Sequence, residues 1–301
     1  MRNMKFTRTI AVLAICVICQ NAASRPVGKG YQYIDNGKIC LGIDMDRGGS
    51  IFSFALSKDG ANMLNHHDEG RFVQQSYYGE SDGSRWWGQN WSWNPIQGGG
   101  SDGSRAEVKS AYMTRRSFHV VSTPRHWATG RSMTELEMEE TITLKGRVCH
   151  IHYTFRNTGE GASDHPESHQ EMPAVFVDAT YDRLVSYKGN RPWTGDSLTY
   201  KVPGWPNEYH ERTEEWSAFV NGDGYGIGVY TPGTASITAY RYGKGNDPGP
   251  EGDDCSYFAP LRTFAVSKGM VMEYDVYMVI GHIEDIRARF YDIHRKLSRN
   301  P

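Results

Sequence analysis

The chain has 301 residues, with 33 basic against 35 acidic groups, a formal net charge of −2 and 12% aromatic content. A balance this even excludes a dedicated nucleic-acid binder, which carries a basic excess. Eight Trp and 18 Tyr in a chain only 38% hydrophobic favour β-structure, where aromatic rings pack well on a pleated surface.

Arg2, Lys5 and Arg8 precede an unbroken apolar run from Ile10 to Cys19, closed by Ala22, Ala23 and Ser24. This pattern predicts a cleavable signal peptide over residues 1–24, a mature N-terminus at Arg25 and a secreted, extracellular protein. The run is too short for a hydrocarbon core that needs about 20 residues, and no later segment comes closer, so no membrane insertion is expected. Losing three cations and no acid leaves 30 basic against 35 acidic groups. The remaining length, about 277 residues, suffices for a sizeable core. No linker or low-complexity tract divides it, so residues 25–301 are expected to form one domain.

Short alternating segments punctuated by Gly, Asn or Pro read as strands: 38–45, 50–56, 117–122, 134–144, 147–157, 217–220 and 225–230. Between the second and third lies a stretch from Glu80 to Arg105 that holds Trp86, Trp87, Trp91 and Trp93 among Gly, Ser, Asn and Asp. It repeats Ser-Asp-Gly-Ser-Arg at 81–85 and 101–105 and is expected to be a long functional loop. Such a loop cannot bury four indoles without burying its own backbone groups, so at least two are expected to be partly exposed, beside Arg71, and to face a ligand. Asn90, Trp91 and Ser92 form the chain's only N-glycosylation sequon; a glycan there would crowd that ligand.

The clearest hairpin joins Glu137–Leu144 to Cys149–Asn157 across Lys145 and Gly146, with Cys149, Ile151, Tyr153 and Phe155 on the core face. Further on, His169 and Glu171 project to one side if their segment is extended, roughly 6 to 7 Å apart, placed to cooperate as acid and base. The same spacing serves a structural hydrogen-bonded pair. Trp193 offers a stacking surface or a cap on the core. The Gly243–Asp254 loop holds Asp247, Glu251, Asp253 and Asp254, but without a recognised calcium spacing it reads as a solvated, mobile loop. Only the end is helical: Ile283, Ile286, Phe290, Ile293 and Leu297 recur every three or four residues, with acids in the first turn and bases in the last.

Cys40, Cys149 and Cys255 remain after processing. In an oxidising compartment one disulfide is expected among them, in any of three pairings. No metal or cofactor is called for.

The segment Asn65, His66, His67, Asp68, Glu69, Gly70 and Arg71, followed by Gln74, Gln75, Ser76, Tyr77 and Tyr78, resembles the Gly-Arg segment of galactose mutarotase-like proteins, the aldose 1-epimerase superfamily. The resemblance continues through the hairpin ending at Asn157, the strand and turn from Gly226 to Pro232, and the late strand before Gly281. It implies an all-β, large antiparallel super-sandwich over most of the mature chain, closed by the C-terminal helix near 283–297. In the superfamily's sugar epimerases an Arg and His residues bind the ring and a Glu base faces a His acid. Arg71 matches the binding Arg and His169 is the candidate acid, but no late Glu motif precedes the helix.

Together these features predict a secreted carbohydrate-active protein that binds or processes an extracellular glycan as an epimerase, hydrolase or lyase. His169 and Glu171 are the catalytic candidates. Arg71, Gln75, Asn94 and Gln97 would bond hydroxyls, while Trp87, Trp91, Trp93 and Trp193 would stack on sugar rings. Hydrolysis would pair Glu171 with Glu214 or Glu215. The rival expectation is a noncatalytic matrix or lectin-like protein on the same fold.

Overall fold

A computed structural model describes residues 25–57 and 60–299; the expected signal peptide lies outside them. Two antiparallel sheets carry the architecture. The larger has ten strands in the order Arg25–Pro26, Glu107–Met113, Ser117–Thr123, Leu136–Lys145, Val148–Asn157, Met270–His282, Tyr225–Tyr230, Trp216–Val220, Arg183–Ser186 and Thr199–Lys201. The smaller has seven: Arg125–His126, Pro95–Ile96, Gln74–Ser76, His165–Asp178, Cys255–Val266, Ser236–Tyr242 and Glu208–Glu211. A three-stranded sheet, Tyr31–Asp35, Ile39–Asp44 and Ser50–Leu56, adds its apolar face to the same core.

Period-two alternation explains the sandwich. Cys149, Ile151, Tyr153 and Phe155 point inward from the large sheet, and Val175, Val177 and Phe258 meet them from the small one. The expected hairpin forms with Leu144 opposite Cys149 and Lys145 opposite Val148, its turn opened by Gly146 at a φ of 61°.

On the small sheet, Ala174, Phe176, Tyr257, Ala259 and Leu261 form a second apolar layer on the outer face. Glu171 pairs with Leu261 and Val175 with Phe258, so the His165–Asp178 strand holds one extra residue between those rungs. That bulge changes the parity of the strand, which puts Glu171 on the same outer face as Ala174 and Phe176.

The helix runs Ile283–Leu297, as its periodicity predicts, and buries Ile283, Ile286 and Phe290 against Val185, Trp216, Val220, Tyr230 and Val279 of the large sheet. Contact is close because Gly228 has no side chain; a Cβ there would sit 2.4 Å from Ile286 Cγ2. No helix among the described residues is long and apolar enough to cross a membrane.

The expected disulfide is corrected. All three cysteines are free thiols: Cys149 points into the core between the sheets, Cys255 lies in the outer layer of the seven-stranded sheet, and Cys40 stands half-buried in the three-stranded one. The expected long loop is also corrected in part. Ser81–Trp86 and Gln89–Ser92 form a hairpin with Trp86 opposite Gln89. Trp87 and Gly88 both take positive φ, 48° and 76°, the geometry of a tight two-residue hairpin turn.

Candidate functional site

A cavity of about 500 Å³ lies over the outer face of the seven-stranded sheet. Alternation on three neighbouring strands aims its floor: His169 and Glu171 from one, Tyr257 and Leu261 from the next, Thr238 and Tyr240 from the third. Among the described residues lining it, Glu171 is the one carboxylate, and there is no Lys or Arg.

Glu171 is buried, and the Tyr257 hydroxyl donates to its Oε1. Burial pushes the carboxyl above its ordinary range, against the pull of hydroxyls from Tyr257, Ser76 and Tyr78 that favour the charged form. The Ser76 hydroxyl approaches the carboxyl without closing a well-formed hydrogen bond, so it is buried with an open valence at the floor. Tyr78 and Tyr257 are driven well above the usual phenol range, first by burial and then by the charge of Glu171. They remain protonated donors. Gln170 braces the floor from behind, accepting from the Tyr78 backbone N–H at 2.7 Å and donating to the Tyr78 carbonyl at 2.9 Å.

His169 stands at the exposed lip, its Nδ1 2.8 Å from Thr263 Oγ1 and its ring beside Tyr209. The two catalytic candidates thus share one face and one cavity, with the histidine turned to solvent.

One wall is the tryptophan hairpin. Trp86 meets Trp91 and Trp127 edge-on at 4.9 and 5.5 Å and stacks on Trp87 at 4.9 Å. His126 Nε2 lies 2.8 Å from Asp82 Oδ2, and its Nδ1 accepts from the Ala128 N–H, which tethers the hairpin to the sheet edge. Trp91 Nε1 donates to Asn94 Oδ1, and Asn94 Nδ2 donates to the Tyr77 carbonyl. Asn94 therefore positions an indole from within the lining. The opposite rim carries Trp205 and Tyr209, each 60% exposed, with Trp205 edge-on to Tyr240 at 4.8 Å.

Other candidate residues lie elsewhere. Trp87 is 84% exposed at the hairpin tip, outside the lining. Asn90 is exposed on the same hairpin, opposite Arg85. Trp93 is buried and stacks on His165 at 3.7 Å. Gln75 and Gln97 lie between the sheets: Gln75 Nε2 donates to the Glu139 carbonyl, and Gln97 Nε2 to Glu140 Oε2. Arg71 is absent from the lining although Gly70 is in it. Its guanidinium bonds the Asp253 carbonyl at 2.6 Å, pairs with Asp68 and Asp253, and lies over the Tyr242 ring. Trp193 packs on His294 at 3.8 Å, under the helix. Glu214 is there too, accepting from Trp216 Nε1 and Tyr291 and paired with Arg287, so it does not face Glu171. The Gly243–Asp254 loop is tied down: Asp254 accepts from the Lys244 and Asp247 N–H groups, and Asn65 Nδ2 donates to the Gly249 and Gly252 carbonyls.

Sequence reasoning did not single out Tyr78, Tyr257, Tyr240, Trp127 or Trp205. Tyr78 stands at the end of the Gly-Arg segment; the others join the cavity only through strand pairing across long stretches of chain, which leaves no local signal.

No protein-family model and no curated protein matches the sequence. Solved structures do match. A putative aldose 1-epimerase from Escherichia coli K12 is 12% identical, with a TM-score of 0.53 over 85% of this chain and 100% of that one. A galactose mutarotase-like protein from Lactobacillus casei is 12% identical, with a TM-score of 0.53 over 83% of this chain and 100% of that one. The GH36 alpha-galactosidase AgaB from Geobacillus stearothermophilus is 9% identical, with a TM-score of 0.50 over 86% of this chain and 41% of that one. The chain therefore has the galactose mutarotase-like super-sandwich fold that the Gly-Arg segment led one to expect.

Proposed function

We propose that the cavity binds a carbohydrate and that Glu171 transfers a proton on it, in a protein that acts outside the cell after loss of residues 1–24. The observation that carries this is the buried Glu171 carboxyl beneath a rim of indoles. Indoles pack on the C–H face of a sugar ring, and phenols that stay protonated donate to its oxygens. A carboxyl that burial pushes above its ordinary range holds on to a proton it can pass to a substrate and take back, which suits epimerase-type chemistry. Hydrolysis by paired carboxylates has less support, since Glu214 is engaged under the helix. The mutarotase-like and alpha-galactosidase neighbours agree with work on sugars.

A lectin-like reading keeps one specific support: Tyr257 already occupies Glu171 Oε1, as a structural pair would. Replacing Glu171 with Gln separates the two. Calorimetric titration with a sugar panel reads binding, and NMR of anomers and products reads turnover. Saturable binding retained within about threefold, with turnover lowered on the order of a hundredfold or more, is the result expected of an acid–base group. Wild-type binding without turnover would favour the lectin-like protein, and absence of binding would end the sugar reading. N-terminal sequencing of secreted material checks processing, with Arg25 expected first.

A further inference from the structure

Two features of the cavity narrow its ligand beyond the word carbohydrate. The first is charge. Every described side chain in the lining is neutral except Glu171 at the floor and the titratable His169 at the lip. The guanidinium of Arg71, which follows the lining residue Gly70, is already paired with Asp68 and Asp253. A uronate, sulfate or phosphate group entering here would lose water, meet no Lys or Arg, and approach a like charge.

The second feature is the spacing of the aromatic rings. Trp127 follows directly on Arg125–His126, the strand at one edge of the seven-stranded sheet; Trp86 leans on it, and Trp91 leans on Trp86. Tyr209 belongs to Glu208–Glu211, the strand at the other edge, with Trp205 just before it. Six strand intervals separate those edges. At about 4.8 Å each, the backbones of those edge strands stand roughly 20 to 30 Å apart, but the rings lean inward: Tyr209 comes within 5.6 Å of His169 on the central strand, and Trp205 meets Tyr240 at 4.8 Å. The cavity between the two groups, about 500 Å³, is more than one sugar ring fills, and both groups line it with rings open to solvent, as a ligand longer than one ring requires.

We infer that the site takes an uncharged glycan several sugar residues long, lying across the seven-stranded sheet from Trp86 and Trp91 to Trp205, with one residue over Glu171. This rests on the sugar-binding reading above and adds to it the charge and length of the ligand. It also weighs against elimination at a uronate, for which the lining offers no Lys or Arg to neutralise the substrate carboxylate.

The test is titration of the mature chain, by intrinsic tryptophan fluorescence and calorimetry, with neutral and charged oligosaccharides of one to six units. Neutral probes are the cello-, manno-, galacto- and malto-oligosaccharide series; charged probes are oligogalacturonates and oligomannuronates. The expected result is one neutral series whose affinity rises about tenfold or more from monomer to tetramer, with charged oligomers at least tenfold weaker. Trp205→Ala, at a 60% exposed rim position, should remove roughly three- to tenfold of the tetramer's affinity and lower monosaccharide affinity less, with the melting temperature reporting that the fold is kept. Charged oligomers that bind as tightly as neutral ones, and lose that binding in Trp91→Ala, would overturn the inference while the sugar site stood. A monosaccharide that binds as tightly as the tetramer would overturn the length. If no series binds, the sugar reading itself fails.

Discussion

Two buried carboxyls, one on the outer face of the seven-stranded sheet and one between the sheets, differ in what surrounds them. Glu171 has phenols about it and an opening to a cavity. Glu140 is enclosed between the sheets, with Gln97 Nε2 2.7 Å from Oε2 and no partner for Oε1. Burial pushes Glu140 up to about 8, against the opposing hydrogen bond from Gln97. An acid whose folded pKa exceeds its unfolded value keeps its proton longer in the native state. Stability is then greatest below the unfolded value of 4.5 and declines as pH climbs towards about 8, where the loss levels off. Glu140→Gln should therefore stabilise the protein increasingly from pH 5 to pH 8, by on the order of 3 kcal/mol at pH 7. Urea unfolding of both proteins at several pH values measures this. A difference that stays flat with pH would mean that Glu140 titrates normally in the fold.

At the scale of elements, the closing helix and the cavity lie on different sheets, so each is open to perturbation without the other. Phe290 is fully buried between Trp216 and Tyr230, 5.7 and 5.8 Å away between ring centroids. Phe290→Ala leaves a void on the ten-stranded sheet and should cost about 3 to 5 kcal/mol in chemical unfolding. Sugar affinity at a temperature where the variant is folded should stay within twofold, because no lining residue touches the helix. A large fall in affinity would show that the two sheets are coupled. The tryptophan hairpin illustrates the reverse dependence. Its residues are polar and turn-rich, so its sequence reads as a loop, and it becomes two strands through the Trp87–Gly88 turn and the His126–Asp82 tether.

At the scale of the whole molecule, the three thiols are spread over three sheets. Denatured, non-reduced mature protein should take up three alkyl groups per chain, and reductant should leave its melting temperature unchanged. Uptake of only one would reveal a disulfide. That separation is tertiary information, since Cys40, Cys149 and Cys255 look alike in sequence. Strand alternation and the three-to-four spacing of Ile283, Ile286 and Phe290 are local, because a strand or helix shows its buried face in a period of two or 3.6 residues. The sequence by itself therefore determined the helix, the 137–157 hairpin, the core faces and, through the Gly-Arg segment, the super-sandwich. It also put His169 and Glu171 on one side of one strand. Only the tertiary structure decided that Arg71 turns to Asp68 and Asp253, that Gln75 and Gln97 face inward, and that Tyr257 and Trp205 join the cavity. Strand order and ion-pair choice set those outcomes, and both depend on residues distant in the chain, which no window of sequence contains.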